Sequence, residues 1–132
     1  NIILLGITDF NDEGAMYAML KNSDEGTLKE KLGGSGKGKA VGFYVPVPDQ
    51  DGAFTMVTRL ELEPGASVGY HTHSDNEEVY AVLCGEGVYT EDGEKIPVKP
   101  GDVMLCRKGH SHAIENTGKE TLKFFAAIAK RG

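Results

Sequence analysis

Apolar and polar side chains alternate with a period of two through most of the chain after residue 40. Successive side chains of a β-strand point to opposite faces, so this period predicts strands that bury one face. The predicted strands span residues 41–47, 56–63, 67–72, 78–83, 87–90, 94–98, 102–106, 112–116 and 121–129. Glycine, proline and aspartate separate them at short intervals, which is typical of antiparallel sandwiches and barrels.

The same alternation predicts which side chains fill this barrel. Between residues 56 and 62, the even-numbered side chains are the ones expected to face the core. Arg59 is on the opposite face of the strand and is therefore expected to face solvent or a subunit interface. Of the adjacent Phe124 and Phe125, at most one can point inward. Further residues expected in the core are Val82, Val103, Leu105 and Ile114.

The first 39 residues lack this pattern and are predicted to form an N-terminal extension (residues 1–39) to a β-barrel domain (residues 40–132). Residues 2–7 indicate a short strand, and residues 12–21 and 23–32 contain helix formers that predict two short helices. The glycine-dense residues 33–39 predict a flexible connector. A phosphate-binding loop is the alternative, but Ala40 follows Lys39 where the GxxxxGK[ST] pattern needs Ser or Thr.

Composition and charge narrow the classes of partner. The 132 residues make one ordinary domain, and 14 Lys and Arg against 20 Asp and Glu give a net charge of −6. Such an acidic chain is a poor partner for nucleic acid. No apolar run approaches the ~20 residues that span a bilayer, and no convincing signal peptide is found, so we expect no membrane partner and a cytoplasmic location. Cys84 and Cys106 are expected to be reduced strand or core residues.

All four histidines fall in two short windows, His71 with His73 and His110 with His112. His71 and His73 project from one strand face, and a hairpin after them would bring Glu78 beside both imidazoles. His112 must come from a distant strand. Three imidazoles and a carboxylate suit a divalent transition metal with open positions for water or substrate. The alternative is that these histidines are exposed or hydrogen-bonded within the sheet.

Two stretches of the chain resemble the paired motifs of the cupin family. The first is Gly65-x5-His71-x-His73-x4-Glu78-x6-Gly85, and the second spans residues 101–116, with Gly109, His112 and Asn116 at the expected places. Residues 86–100 separate the motifs, as in compact single-domain cupins. Arg107 stands where the family pattern has proline, which weakens a turn signal but removes no ligand.

The resemblance implies an all-β fold, a double-stranded β-helix or jelly-roll barrel, with a short N-terminal helical extension. It also implies one divalent transition metal ion inside the barrel, held by His71, His73, Glu78 and His112. Glu77 is a rival for Glu78, since cupin spacing tolerates a slip of one residue, but strand parity favours Glu78. Nitrogen-rich sites with one carboxylate accept Fe, Mn, Ni or Zn, so the sequence does not select the metal.

Two further side chains are candidates for catalytic roles. Tyr80 should share the inward face with Glu78, where its phenol either donates a hydrogen bond near the metal or fills the barrel. His110 lies two residues before His112 on the turn after Gly109. We expect it at the rim of the site, with an acid–base or substrate-binding role as the alternative.

Such a site predicts a metal-dependent enzyme that acts on a small oxygen-rich metabolite, a carboxylate or an enediol. Because few titratable groups are expected nearby, oxygenase or decarboxylase-type chemistry fits best, with isomerase or cyclase activity also open. The alternative is a module that binds metal and a small ligand without turnover, and a structural role is a third hypothesis. The N-terminal strand and residues 41–47 could pair across a sheet edge, so we expect a homodimer.

Overall fold

The computed structural model describes residues 7–10, 16–47 and 51–131, which form an almost entirely β fold. The strands are β1 (Ile7–Phe10), β2 (Met16–Ala18), β3 (Thr27–Lys29), β4 (Ala40–Tyr44), β5 (Phe54–Leu62), β6 (Ser67–Thr72), β7 (Asn76–Cys84), β8 (Gly87–Glu91), β9 (Glu94–Val98), β10 (Val103–Cys106), β11 (Ser111–Glu115) and β12 (Leu122–Lys130). One 3-10 turn spans Leu32–Gly34. None of the described helical structure is long and apolar enough to cross a membrane.

Two antiparallel sheets enclose the core. One has the strand order β10-β7-β12-β5-β4-β3 and the other β6-β11-β8-β9, while β1 and β2 form a separate pair. From β5 to β12 the chain changes sheet at every connection except the β8–β9 hairpin. Strands that follow one another in sequence therefore face each other across the core, which is the winding of a jelly roll. The predicted double-stranded β-helix is confirmed.

The core takes side chains from both sheets at alternate strand positions. Leu62 on β5 and Phe124 on β12 are fully buried, and Tyr89 and Ile114 meet them from the opposite sheet. Phe124 is thus the one phenylalanine of its pair that points inward. As predicted, Arg59 lies outside the core, where its guanidinium covers the Phe43 ring at 4.2 Å. Both cysteines are free, Cys106 buried and Cys84 exposed.

Strand β10 reverses the prediction for two core residues. Val82 and Ile114 are buried as expected, but Val103 and Leu105 are 67% and 50% exposed. The buried positions of β10 belong to Cys106 and, in part, to Met104. Because both faces of this short strand are apolar, its sequence pattern does not tell which face meets the core.

Short strands take the place of part of each predicted N-terminal helix. Residues 2–6 and 12–15 lie outside the described residues, residues 16–18 form β2, and Thr27–Lys29 form β3. A turn precedes β3, in which the Asp24 carboxylate accepts a hydrogen bond from the Lys21 N–H at 2.9 Å. Strand β3 then pairs antiparallel with β4. The energy of pairing with the available edge of β4 outweighs the weak helix propensity of these residues. Among the described residues of the predicted helical extension, only Leu32–Gly34 is helical.

The glycine-rich segment after β3 is packed against β6, although a flexible connector was predicted. The Ser67 N–H donates to the Lys37 carbonyl and the Lys37 N–H to the Ser67 hydroxyl, at 2.9 and 3.0 Å. Gly33 has a φ of +69°, and a Cβ there would lie 2.5 Å from the Gly69 carbonyl oxygen and 2.7 Å from His71 Nδ1. Glycine therefore permits the backbone of this segment to touch the strand that carries His71.

Gly33→Ala and Gly34→Ala form a matched pair of variants that tests this packing. Both positions have positive φ, at 69° and 88°, but a Cβ at Gly34 meets open space. We expect each variant to lose about 1 kcal/mol of unfolding free energy from left-handed strain. Gly33→Ala should lose about 1–3 kcal/mol more, because its methyl group must displace Gly69 or His71. Urea unfolding measures the difference, and equal losses would contradict the packed interface.

Candidate metal centre

Four side chains from three strands and one corner converge inside the barrel. His71 lies on β6 and stands opposite His112 of the neighbouring β11. His73 follows the end of β6, and Glu78 reaches the same point from β7 in the facing sheet. The predicted hairpin between the histidines and Glu78 is therefore a corner that joins the two sheets. As predicted, this connection brings the Glu78 carboxylate beside the imidazoles of His71 and His73.

The donor atoms of this cluster lie at the separations that one metal ion requires. From His112 Nε2 the distances are 3.0 Å to Glu78 Oε1, 3.0 Å to His73 Nε2 and 3.2 Å to His71 Nε2. Glu78 Oε1 is 3.1 Å from His73 Nε2 and 3.7 Å from His71 Nε2. Ligands about 2.1 Å from one ion and at right angles to each other stand about 3.0 Å apart. The geometry fits a single small cation.

Backbone and side-chain acceptors orient two of the three imidazoles. His71 Nδ1 lies 2.6 Å from the Gly69 carbonyl oxygen, and His73 Nδ1 lies 2.6 Å from Asn76 Oδ1. Each partner atom only accepts hydrogen bonds, so each Nδ1 carries the proton. The Nε2 atoms of His71 and His73 therefore present lone pairs to the centre of the cluster, as metal-bound histidines do.

A short relay orients the third imidazole. His112 Nδ1 lies 3.1 Å from the Tyr89 hydroxyl, which donates its own proton to Glu91 Oε1 at 2.6 Å. Because the Tyr89 proton is used by Glu91, the hydroxyl accepts from His112 Nδ1–H. His112 Nε2 is then unprotonated too. The lone pairs of the three Nε2 atoms and the Glu78 oxygen therefore point at one another with no proton between them. A divalent cation stabilises such an arrangement.

The pKa shifts of these groups indicate that a proton can take the place of a cation in the cluster. Burial alone would raise the pKa of Glu78, but its contacts with the three imidazoles outweigh burial and hold that pKa well below its usual range. Burial lowers the pKa of His112, which keeps this imidazole neutral. The hydrogen bond to Glu78 raises the pKa of His73, despite the opposing effect of burial. A proton on His73 is therefore the natural competitor of a metal ion.

Tyr80 packs against the cluster inside the barrel. Its side chain is 1% exposed, and its ring stacks on the His112 imidazole with the centroids 4.8 Å apart. Burial, followed by the negative charge of Glu78, raises the pKa of Tyr80 well above its usual range. The phenol therefore keeps its proton near the Glu78 carboxylate. The ring fills the barrel, as one of the two alternatives from the sequence expected.

His110 lies outside the four-residue cluster, on a partly exposed turn. Its Nδ1 is 2.5 Å from Asp92 Oδ2, and the Ser111 N–H donates to Asp92 Oδ1 at 3.0 Å. The hydrogen bond from His110 is the main reason that the pKa of Asp92 is lowered. The His110 backbone also serves the cluster, because its carbonyl accepts the His73 N–H at 3.0 Å.

Glu77, the rival of Glu78, points away from the cluster. Its Oε2 accepts a hydrogen bond from Arg131 at 2.9 Å. Neighbouring residues on a strand face opposite sides, so when β7 turns Glu78 inward it turns Glu77 outward. The strand-parity argument thus agrees with the residue that the structure brings to the histidines.

A cavity of about 230 Å³ opens beside the cluster and is bounded by His71, His73 and Glu78. Its other walls are mainly apolar, with the two phenols of Tyr44 and Tyr80; the apolar side chains are Leu32, Met56, Leu60, Val68 and Ile128. Sequence analysis missed Tyr44, Tyr89 and Asn76. Asn76 alone had a local signal, as an amide three residues after His73 in a turn; the others reach the site through strand pairing.

Comparison with known proteins adds family evidence. Residues 58–128 match the family model described as Cupin domain. A 73-residue stretch is 47% identical to the oxalate-binding protein of Thermotoga maritima and covers 55% of this chain and 60% of that protein. A 59-residue stretch is 41% identical to an uncharacterized protein of Methanocaldococcus jannaschii, covering 45% of this chain and 47% of that one. The chain therefore spans about half the length of these curated relatives.

Among solved structures, the fold matches the crystal structure of a predicted oxalate decarboxylase from Thermotoga maritima. The two share 34% sequence identity with a TM-score of 0.79, over 85% of this chain and 98% of that one. The cupin domain of Cnp3 from Schizosaccharomyces pombe gives a TM-score of 0.63 at 17% identity, a likeness that concerns the fold alone.

Tyr89→Phe tests the relay behind His112. The variant removes the hydroxyl that accepts from His112 Nδ1, so we expect affinity for Mn(II) or Zn(II) to fall about 10- to 100-fold with the fold intact. Competition with a chromogenic chelator measures the affinity. Tyr70→Phe, at a residue that is 50% exposed, is the control and should bind metal normally. Unchanged affinity in Tyr89→Phe would show that the relay does not orient His112.

Proposed function

This chain belongs to the cupin family, and from that premise we propose that it is a metal-dependent enzyme acting on a small carboxylate of the oxalate class. The observation that carries the proposal is the convergence of three Nε2 lone pairs and the Glu78 carboxylate at the wall of a small cavity. At about 30 Å³ per water, 230 Å³ corresponds to roughly eight water molecules, a size that suits a small metabolite.

Similarity supports the choice of a carboxylate. The Thermotoga maritima relatives are named as an oxalate-binding protein and a predicted oxalate decarboxylase. A dicarboxylate can chelate a divalent ion through two oxygens, and a partly open metal site accepts such a ligand. We therefore favour a chelating acid over the enediol alternative.

In the proposed mechanism, His71, His73, Glu78 and His112 hold the ion, which when bound supplies Lewis-acid polarisation of the carboxylate. The Tyr80 ring stacks on the His112 imidazole, and the relay behind His112 orients that imidazole. The apolar walls limit the water around the ligand. For hydrogen oxalate the balanced reaction breaks the C–C bond, releases CO2 and leaves formate, whose carbon takes the proton. Of the two catalytic candidates from the sequence, we propose Tyr80 as a positioning residue that packs on His112, and we assign no step to His110, whose side chain contacts Asp92 outside the described cavity lining.

A non-catalytic binding module is the second candidate. Apart from His71, His73 and Glu78, the titratable groups on the described cavity wall are Tyr44 and Tyr80, and burial raises the pKa of both phenols. Neither is suited to rapid proton transfer at neutral pH. This sparse set of groups is compatible with chemistry that depends on metal and substrate alone, and equally with binding alone.

One experiment separates the two candidates. The purified protein is loaded in turn with Mn(II), Fe(II), Ni(II) and Zn(II), and oxalate binding is followed by calorimetry while NMR detects formate. Formate production with any metal supports the enzyme. Tight oxalate binding without consumption would overturn the enzyme proposal in favour of the binding module. If oxalate binds in none of the metal-loaded forms, the small-carboxylate proposal fails.

Glu78→Gln and Glu77→Gln are matched variants of neighbouring carboxylates. We expect Glu78→Gln to lose most of its bound metal and its oxalate binding, because the amide removes the one anionic donor of the cluster. Glu77→Gln should retain both, since Glu77 faces Arg131. Metal content after dialysis, measured by plasma mass spectrometry, distinguishes them. Full retention in Glu78→Gln would refute the proposed ligand set.

We also propose a homodimer, but through a different surface from the predicted edge. Strand β3 pairs with β4 at residues 40–42, so the start of the predicted edge, at Val41 and Gly42, is already covered. The opposite end of the sheet, β10, exposes Val103 and Leu105. An antiparallel pair of two β10 strands about Met104 would place Val103 beside Leu105 of the second copy and cover both.

Leu105→Lys tests this surface. A buried interfacial lysine opposes association, so light scattering after gel filtration should show wild-type dimers and variant monomers with unchanged metal content. Leu28→Lys, at an exposed apolar residue of β3, is the control and should remain dimeric. Monomeric wild-type protein, or a dimeric Leu105→Lys variant, would exclude the β10 interface.

A further inference from the structure

Strand β4 contributes one polar side chain, Tyr44, to the wall of the cavity. Alternation along β4 places Ala40 and Gly42 at buried positions and turns Tyr44 to the same side, while Phe43 lies outside against Arg59. Tyr44 therefore lines the cavity that His71, His73 and Glu78 bound. Its hydroxyl forms no hydrogen bond with any residue that the structure describes.

Two contacts hold the Tyr44 ring in place. The ring folds over Gly42, where a Cβ would come within 2.4 Å of a ring carbon, so only glycine leaves this space. The Lys29 ammonium also lies 5.0 Å from the ring centroid, within the range of a cation–π contact. Tyr44 is thus positioned between β3 and β4 although no described residue uses its hydroxyl.

The chemistry of the cavity needs such a hydroxyl. Among the described residues of its lining there is no lysine or arginine, and the Lys29 ammonium lies over the Tyr44 ring at 5.0 Å, so no cationic side chain of the lining contacts a bound anion. The oxygens of a ligand that point away from the metal must find neutral donors. Burial raises the pKa of Tyr44, so its phenol keeps its proton and can donate.

We propose that Tyr44 is a second anchoring residue for the ligand and that it donates a hydrogen bond to the oxygens that the metal does not hold. The inference rests on the proposed function and refines its substrate class. It selects small ligands with oxygen atoms at two ends, such as oxalate or another short dicarboxylate or 2-oxo acid. A monocarboxylate with one oxygen-bearing end, such as acetate, gains nothing from Tyr44.

The test compares oxalate and acetate binding to Mn(II)-loaded wild-type and Tyr44→Phe proteins by calorimetry, with metal content checked before and after titration. We expect Tyr44→Phe to weaken oxalate binding by about tenfold or more, the cost of one hydrogen bond to a charged group. Acetate binding and metal content should not change. This selective loss separates an anchoring role from a structural one, which would weaken both ligands.

Gly42→Ala is a second variant that keeps the hydroxyl but displaces the ring. It should reduce the preference for oxalate over acetate in the same direction, and Tyr70→Phe should leave that preference unchanged. If wild type and Tyr44→Phe bind oxalate equally well, the Tyr44 proposal is overturned and the proposed function stands. If the metal-loaded wild type does not bind oxalate at all, both fall.

Discussion

Four electron-rich atoms that point at one another inside the barrel constrain much of this structure. Three imidazole nitrogens and the Glu78 oxygen lie 3.0 to 3.7 Å from their neighbours in the cluster, largely shielded from water. Such a group is costly in a protein interior unless a cation or a proton balances it. The hydrogen bonds to each Nδ1 and the packing of Tyr80 keep the donors in place against their mutual repulsion. The packing of the barrel therefore both holds the four donors together and gives the cluster its affinity for a cation.

The site exists only when both sheets are packed together. His71 and His112 lie on adjacent strands of one sheet, whereas Glu78 comes from the other. The segment with Leu32 and Gly33 closes the cavity beside His71, and its glycine backbone fits against β6 where no side chain could. A ligand that binds only this assembled state stabilises the whole fold by mass action. The N-terminal segment is thus part of the cavity wall as well as an extension of the sheet.

Local spacing explains why the candidate ligands were readable from the sequence. His71 and His73 share a face because they are two residues apart on an extended chain, and parity separates Glu78 from Glu77 in the same way. Asp92 and Gly93 form the turn between β8 and β9 with positive φ at both residues, a conformation for which an Asp-Gly pair is typical. By contrast, Tyr89 reaches His112 from a neighbouring strand, and Tyr44 enters the cavity because β4 buries its smallest residues. No spacing within one strand encodes these contacts.

The sequence by itself determined the all-β class, the turns and the pairs of residues that share a strand face, because these follow from backbone geometry over a few residues. Tertiary structure decided which apolar face of β10 meets the core, that residues 27–29 extend a sheet instead of forming a helix, and that the glycine-rich segment lies against β6. It also supplied Tyr89 as the partner of His112 Nδ1, and it placed Tyr44 in the wall of the cavity. These outcomes depend on register and sheet packing between residues distant in the chain, where the energy of long-range contacts outweighs local propensity.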